Sequence, residues 1–218
     1  MADTNKQFDL VTAKCRQIFV DKMQDYGASW RIFRLHGITD QLYIKACNIR
    51  QLQTTGVSLV GDDIEGILRA IINYGITAII QERNGYADSI DMSNEEAMRH
   101  YDEVLAEAKE LMVRKNHDYG EAWREMSKEG IVDMILAKII RIKTIIANGG
   151  KTIASEGIEG NYFDIINYAI FDLIHYTEDY NERENHQTHP RKRCPHLAGI
   201  DVPIFGICES RGPVGYRL

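Results

Sequence analysis

The sequence predicts an all-α protein made of two tandem copies of a three-helix module, followed by an irregular C-terminal tail. All four prolines of the 218-residue chain lie in its last 29 residues, so the first 189 residues contain none. A proline-free stretch of this length favours long helices, since proline and glycine commonly interrupt β-rich chains. An offset of 93 aligns residues 8–50 with 101–143 with 15 of 43 pairs identical, and an offset of 94 aligns 64–80 with 158–174 with nine of 17 identical.

The repeat sets the domain boundaries. The first copy spans residues 6–83, a short polar linker spans 84–93, and the second copy spans 94–182. Three helices of this size bury their apolar faces poorly alone, so we expect the copies to pack around a pseudo-twofold axis as one helical bundle. Residues 187–218 have no counterpart after the first copy. We expect them to form a loosely ordered basic tail whose deletion leaves the fold intact.

In the first copy, the helices follow from apolar residues at helical spacing. The first helix carries the stripe Phe8, Val11, Cys15, Ile18 and Phe19. The second helix is predicted over 39–55 and the third over 62–81, by alignment with the second copy.

The second copy repeats this order with clearer end signals. Ser93 and Glu96 form a capping box at the start of its first helix. The apolar stripe of that helix is Ala97, Met98, Tyr101, Val104, Leu105, Ala108, Leu111 and Met112. Gly120 is expected to end it, because glycine takes the left-handed conformation without strain. The second helix is predicted over 131–147, before an Asn-Gly-Gly terminator, and the third over 156–180.

Charge divides the chain at the tail. Residues after 186 carry a net charge of +3, and because the whole chain carries −6, residues 1–186 carry −9. An acidic body repels a phosphate backbone, so we expect no binding to duplex nucleic acid. The apolar run 131–147 contains four charged residues, and the first ten residues lack the order of a secretory signal. We therefore expect a cytoplasmic protein with no membrane partner.

The sharpest repeated string is Lys-x-x-Asp-Tyr-Gly-x-x-Trp, which begins at Lys22 and again at Lys115. In the second copy Lys115, Asp118 and Tyr119 share one face of a helix end, and the glycine returns Trp123 towards them. Such a cluster suits a phosphate on the lysine, a metal or hydroxyl on the aspartate, and a base or sugar against the rings. It equally suits a helix end locked by packed aromatic side chains, and the spacing does not separate the two interpretations.

A second candidate cluster lies on the last predicted helix. It contains Glu156, Glu159, Asp164 and Asn167, with Asp172 farther along. A carboxylate inside an apolar helix is costly to bury without a partner. A magnesium ion held by oxygen ligands is one candidate partner, and a lysine from a neighbouring helix is another.

Basic residues on the middle helix form a third set. Lys138 and Arg141 are i, i+3 neighbours. Facing inward, they neutralise phosphates or pair with the carboxylates, and facing outward they form a solvated rim. The first copy has Asn48 in place of Arg141 and Ala70 in place of Asp164, so the second copy is the better equipped of the two.

At these residues the chain resembles the family called nucleotide modification associated domain 1. The resemblance lies in KNHDYGEAW, AKIIRIK and EGIEGNYFDIINYAI of the second copy, and more faintly in DKMQDYGASW and IEGILRAIINYGI of the first. The tandem form is similar to bacterial members. The family in turn resembles the all-α nucleoside triphosphate pyrophosphatases of the MazG and dimeric dUTPase group.

The resemblance implies a Mg²⁺-dependent site in the second copy. Glu156, Glu159 and Asp164 are its implied metal ligands. The implied phosphate contacts come from the basic residues, and the implied base contacts come from the aromatic ones. The full set of candidate substrate-binding residues is Lys115, Asp118, Tyr119, Trp123, Lys138, Arg141 and Asn167.

Two functions remain open at this stage. The first is a Mg²⁺-dependent nucleotide-binding protein that hydrolyses canonical or modified nucleoside triphosphates to monophosphate and pyrophosphate. Glu159 or Asp164 is then the metal ligand or the base. The alternative is a non-catalytic helical module that binds a nucleotide or a protein, or that associates into a homo-oligomer. Metal-dependent turnover separates the two hypotheses.

Overall fold

Six long helices make up the body of the protein. The computed structural model describes residues 3–152 and 156–188, and within these ranges it contains no strand. The helices are α1 (Thr4–Tyr26), α2 (Leu35–Thr55), α3 (Ile64–Asn84), α4 (Asn94–Tyr119), α5 (Lys128–Ala147) and α6 (Ile158–Thr188). Short 3₁₀ turns at Ser29–Ile32 and Ala122–Glu125 join α1 to α2 and α4 to α5. The predicted all-α class and the three helices of each copy are confirmed.

The helix ends follow the capping signals in the sequence. Ser93 Oγ accepts a hydrogen bond of 3.1 Å from the backbone N–H of Glu96, which confirms the predicted start of α4. Gly120 ends that helix in the left-handed conformation, with φ of 62°. Ser127 caps α5 by accepting from the N–H of Gly130 at 3.0 Å. That helix therefore begins three residues before the predicted position, at Lys128.

One further difference concerns the C-terminal region. α6 continues to Thr188, past the predicted end of the second copy at residue 182 and into the first two residues assigned to the tail. Residues 189–218 lie outside the described part of the chain, so the prediction of a loosely ordered tail stays a prediction. The described helices include none with the length and apolarity needed to cross a bilayer.

The central layer of the bundle is formed by α3 and α6. These helices pack against each other, while α2 covers α3 and α5 covers α6. Fully buried apolar residues of the central pair include Leu68, Ile71, Ile72, Ile76 and Ile79 on α3 and Ile165, Ile166 and Ile170 on α6. The two backbones approach closely at Gly75, where a Cβ atom would lie only 2.7 Å from Ile166 Cγ1. Glycine at this position lets the two copies share one core.

Surface ion pairs show that the copies are related as the subunits of a twofold dimer are. In such an arrangement a pair joining i to j is matched by a pair joining j to i in the other copy. The matched pairs under the offset of 93 are Arg16–Asp102 (2.7 Å) with Lys109–Asp9 (2.6 Å), and Arg50–Asp133 (2.5 Å) with Lys143–Asp40 (2.7 Å). The fused copies therefore exchange equivalent contacts, as expected for a pseudo-twofold bundle.

Candidate functional site

The centre of the candidate site is the carboxylate of Asp164. Its side chain is 6% exposed and lies on α6, inside an otherwise apolar stretch. Lys115, near the end of α4, donates a hydrogen bond to Asp164 Oδ1. Lys138 of α5 places its Nζ 2.5 Å from Asp164 Oδ2. Three helices thus deliver two ammonium groups to one buried carboxylate, and we call these three residues the lysine–aspartate cluster.

The lysine–aspartate cluster carries a net charge of +1 and is open to solvent on one side. Lys138 is 11% exposed, whereas the Lys115 side chain is 37% exposed. Burial by itself lowers the pKa of Lys115, but the hydrogen bond to Asp164 and its negative charge outweigh that effect and raise the pKa. Lys115 therefore stays protonated at neutral pH while keeping part of its ammonium group at the surface.

Arg141, Tyr168 and Glu156 surround this opening. Arg141 is exposed on α5, one turn after Lys138. Tyr168 is half-buried one turn after Asp164, and its pKa is raised by burial and by the Asp164 charge, against the opposing effect of Lys115 and Arg141. Glu156 is exposed, with Oε2 4.0 Å from Lys138 Nζ. The opening thus has cationic, aromatic and acidic groups around one partly exposed ammonium.

Other residues predicted for the site differ in their surroundings. Glu159 is held by Arg83 of α3, with 2.6 Å between its Oε1 and Arg83 Nη2. Asp118 is 69% exposed beside the ring of His117. Tyr119 is 70% exposed and lies near enough to Tyr168 to act on its ionisation. Trp123 is buried against α6 and stacks on a phenylalanine, so it is not exposed at the opening.

Asn167 has a structural contact and one unused acceptor. Its Nδ2 donates to the carbonyl of Ala108 at 3.1 Å, and its buried Oδ1 has no hydrogen-bond partner among the described residues. The equivalent Asn73 of the first copy accepts at Oδ1 from the hydroxyl of Tyr101, at 2.8 Å. The residue equivalent to Tyr101 in the other copy is Phe8, which has no hydroxyl. The aromatic substitution accounts for the unused oxygen of Asn167.

The carboxylates as arranged do not fit a magnesium ion. Both oxygens of Asp164 are taken by lysine ammonium groups, and Glu159 is taken by Arg83. No group of three or more His, Cys, Asp or Glu residues able to hold a metal occurs in the ranges that the structure describes. A Mg²⁺ ion takes oxygen ligands in near-octahedral geometry, so binding at Asp164 requires at least one lysine to leave. The predicted metal ligands Glu156, Glu159 and Asp164 therefore stay predictions.

The first copy has the same lysines without the carboxylate. Lys22 and Lys45 are the equivalents of Lys115 and Lys138, and Ala70 stands in place of Asp164. Neither lysine forms an ion pair with any residue that the structure describes, whereas both lysines of the second copy do. A cavity of about 170 Å³ opens beside Ala70.

A comparison with protein-family models matched two segments of the chain, residues 22–81 and 115–176, to the nucleotide modification associated domain 1. Together they cover more than half of the sequence. The chain belongs to this family. The two segments fall within the two predicted copies, which is consistent with the tandem repeat, and the candidate residues of the second copy all lie in the second segment. No curated protein and no solved structure matches the chain. The similarity to nucleoside triphosphate pyrophosphatases stays a prediction.

Three side chains that contact or lie near the candidate residues were not among the residues predicted from the sequence of this member of the nucleotide modification associated domain 1 family. Arg83 donates hydrogen bonds to both Glu107 and Glu159 across the contact between the copies, and no spacing rule links Arg83 to Glu159, 76 positions away. Tyr168 carries a sequence signal, because Ile-Ile-Asn-Tyr occurs in both copies. Phe171 stacks on Trp123 with ring centroids 4.4 Å apart. The sequence could have pointed to Phe171 only as a difference between the copies, because the first copy has Thr77 at the equivalent position.

Proposed function

We propose that the protein binds a nucleotide through the phosphate groups, at the lysine–aspartate cluster of the second copy. The observation that supports this proposal is the convergence of Lys115 and Lys138 on one buried carboxylate. Asp164 holds the two ammonium groups in fixed positions and cancels only half of their charge. A phosphate therefore meets cations that are already oriented, which lowers the entropy lost on binding.

The phosphate contacts come from donors that the cluster leaves unused. A lysine ammonium has three N–H donors, and Lys115 gives one of them to Asp164. Its partly exposed ammonium keeps donors for a phosphate oxygen. Arg141, on the same side of α5 as Lys138, adds a planar guanidinium that suits paired phosphate oxygens. The acidic body of the protein, at −9 over residues 1–186, makes this local concentration of positive charge unusual for the chain.

The base is recognised by an aromatic side chain near the opening of the lysine–aspartate cluster. Tyr119, at the end of α4 and four residues from Lys115, is 70% exposed. An exposed ring can stack on any base face, for about 1–3 kcal/mol per base. Trp123 is buried under Phe171 and cannot contact a ligand without moving, so Tyr119 takes the place next to the base.

The hydrolytic form of this function is a narrower proposal. In it, a water molecule cleaves a bound nucleoside triphosphate between its α- and β-phosphates, which gives the monophosphate and pyrophosphate. The carboxylates that would hold a Mg²⁺ ion for this chemistry, Asp164 and Glu159, are already paired with lysine and arginine side chains. Binding without turnover is therefore the form that the contacts support best, and pyrophosphate release decides between the two.

The test is calorimetric titration of the full chain with nucleoside mono-, di- and triphosphates, with EDTA and again with Mg²⁺. We expect saturable binding in EDTA that weakens about tenfold in Lys115→Gln and in Arg141→Gln, the loss expected for one charged hydrogen bond. The control is Lys14→Gln, an exposed lysine on α1 away from the cluster. Equal affinity in all four proteins, or no binding at all, refutes the proposal. Pyrophosphate release in Mg²⁺ extends it to hydrolysis.

A further inference from the structure

The first copy contains a cavity next to its repeated tryptophan, Trp30. Its volume is about 170 Å³, and it lies between the end of α1, the first 3₁₀ turn and α3. The lining residues that matter here are Lys22, Tyr26, Trp30, Asn73, Tyr74 and Thr77. Three of these six are aromatic, and Phe19 and Phe33 also line the cavity, so five rings stand beside polar groups from α1 and α3.

The second copy fills the equivalent space with one of its own rings. Phe171 stacks on Trp123 with centroids 4.4 Å apart and planes 4° from parallel. In the first copy Thr77 stands in place of Phe171, and no described ring lies parallel to Trp30. The nearest ring, Phe19, is 6.5 Å away and tilted by 43°. The repeat itself therefore shows what fits against this tryptophan, namely a flat six-membered ring.

The first copy also lacks the negative charge that the second copy places nearby. Because Ala70 replaces Asp164, the ammonium groups of Lys22 and Lys45 have no carboxylate partner among the described residues. Lys22 lines the cavity, and Lys45 lies 5.7 Å from the ring centroid of Tyr74. An anion at the mouth of the cavity would supply the missing counter-charge.

We propose that this cavity is a second binding site, which takes a single aromatic ring carrying an anionic group. A pyrimidine nucleoside monophosphate has this chemistry. An engineered apolar cavity of about 150 Å³ is known to hold benzene, so 170 Å³ suits one ring rather than a fused pair. The ring lies on Trp30 in the position that Phe171 has on Trp123, and the phosphate pairs with Lys22. This inference does not depend on the lysine–aspartate cluster of the second copy.

The test uses a substitution taken from the second copy. Thr77→Phe places the filling ring in the first copy and closes the cavity, whereas Thr77→Ser keeps both the cavity and the hydroxyl that donates to Asn73 O. Titrations with uridine monophosphate are run in the Lys115→Gln background, in which binding at the cluster of the second copy is expected to be about tenfold weaker. We expect Thr77→Phe to weaken binding at least tenfold, as for loss of one stacked base, and Thr77→Ser to bind as the parent does.

A second variant keeps the test independent of packing. Lys22→Gln should weaken uridine monophosphate binding about tenfold, the usual effect of losing one charged hydrogen bond, and should leave uridine binding unchanged. Three results would overturn the proposal: equal affinity in Thr77→Phe and Thr77→Ser with unchanged melting temperatures, equal affinity for adenosine and uridine monophosphates, or no binding of either. Loss of binding in Lys115→Gln with no effect of Thr77→Phe would refute this site while leaving the function proposed above intact.

Discussion

Asp172 should make the stability of the protein fall as the pH rises from about 4 towards neutrality. This residue of α6 has no exposed surface, and neither carboxylate oxygen has a hydrogen-bond partner in the described ranges. Burial raises its pKa to about 7, with Lys128 lowering the pKa and Glu129 raising it by smaller amounts. The equivalent residue of the first copy is Ala78, so the fold does not require a carboxylate at this position.

The sign and size of the effect follow from proton linkage. The folded protein binds the Asp172 proton more tightly than the unfolded chain, in which the pKa is about 3.9. The free energy of unfolding is therefore highest below about pH 4, falls between pH 4 and 7, and is level above that range. A difference of roughly three pKa units at 1.36 kcal/mol each amounts to about 4 kcal/mol, which is the largest loss expected once the carboxylate is ionised.

The assay is urea unfolding of the parent protein and of Asp172→Asn between pH 4.5 and 8. The asparagine has nearly the same shape and no ionisation, so the variant should gain stability over the parent by up to about 4 kcal/mol as the pH rises. The matched control is Asp88→Asn, an exposed aspartate whose removal should shift the curve equally at every pH. Parallel curves for Asp172→Asn and the parent would show that the buried carboxylate is solvated or paired, and the reasoning would be wrong.

Three further substitutions test the packing of the two copies. Asp164→Ala leaves the buried ammonium of Lys138 with only the exposed Glu156 carboxylate, 4.0 Å away, and should lower the free energy of unfolding by about 2 kcal/mol, measured in urea at pH 7. Gly75→Ala gains about 1 kcal/mol of helix propensity but forces a Cβ within 2.7 Å of an Ile166 carbon, so the melting temperature should fall. Phe8→Tyr should give the unused oxygen of Asn167 a donor and stabilise the protein by about 1 kcal/mol in the same urea assay, whereas a loss shows that the hydroxyl does not reach it.

The helices could be predicted because their signals are local. Apolar spacing and the Ser93 cap are properties of short segments, and the structure follows them closely at α4. Helix ends without apolar residues were harder to predict. The first turn of α5 is polar and depends on the Ser127 cap, and the last turns of α6 carry mostly polar residues. A prediction from apolar periodicity ends each helix near its outermost apolar residues. Both α5 and α6 are therefore longer than predicted.

The partners of the candidate carboxylates could be predicted only as alternatives. The sequence indicates that Asp164 needs a partner, because its neighbours on the helix are apolar. It does not specify whether a lysine or a metal supplies the charge, since that choice depends on how α4 and α5 pack against α6. The partner of Glu159 was harder still to predict, because Arg83 belongs to the other copy. Contacts between copies come from the tertiary arrangement, which residue spacing along one helix does not encode.

Fusion of the two copies explains how one fold can hold two different sites. In a homodimer every substitution appears twice, whereas in a fused pair each half can change alone. The decisive differences on the central helices are Asp164 for Ala70, Phe171 for Thr77 and Asp172 for Ala78. Asp164 and Phe171 are two turns apart and so share one helix face. The second copy therefore fills that face with its own charge and ring, while the first copy has a cavity and two lysines that form no ion pair with a described residue. If both sites bind nucleotides, a single chain should show two binding events of unequal affinity, and one class of equivalent sites would contradict this division of roles.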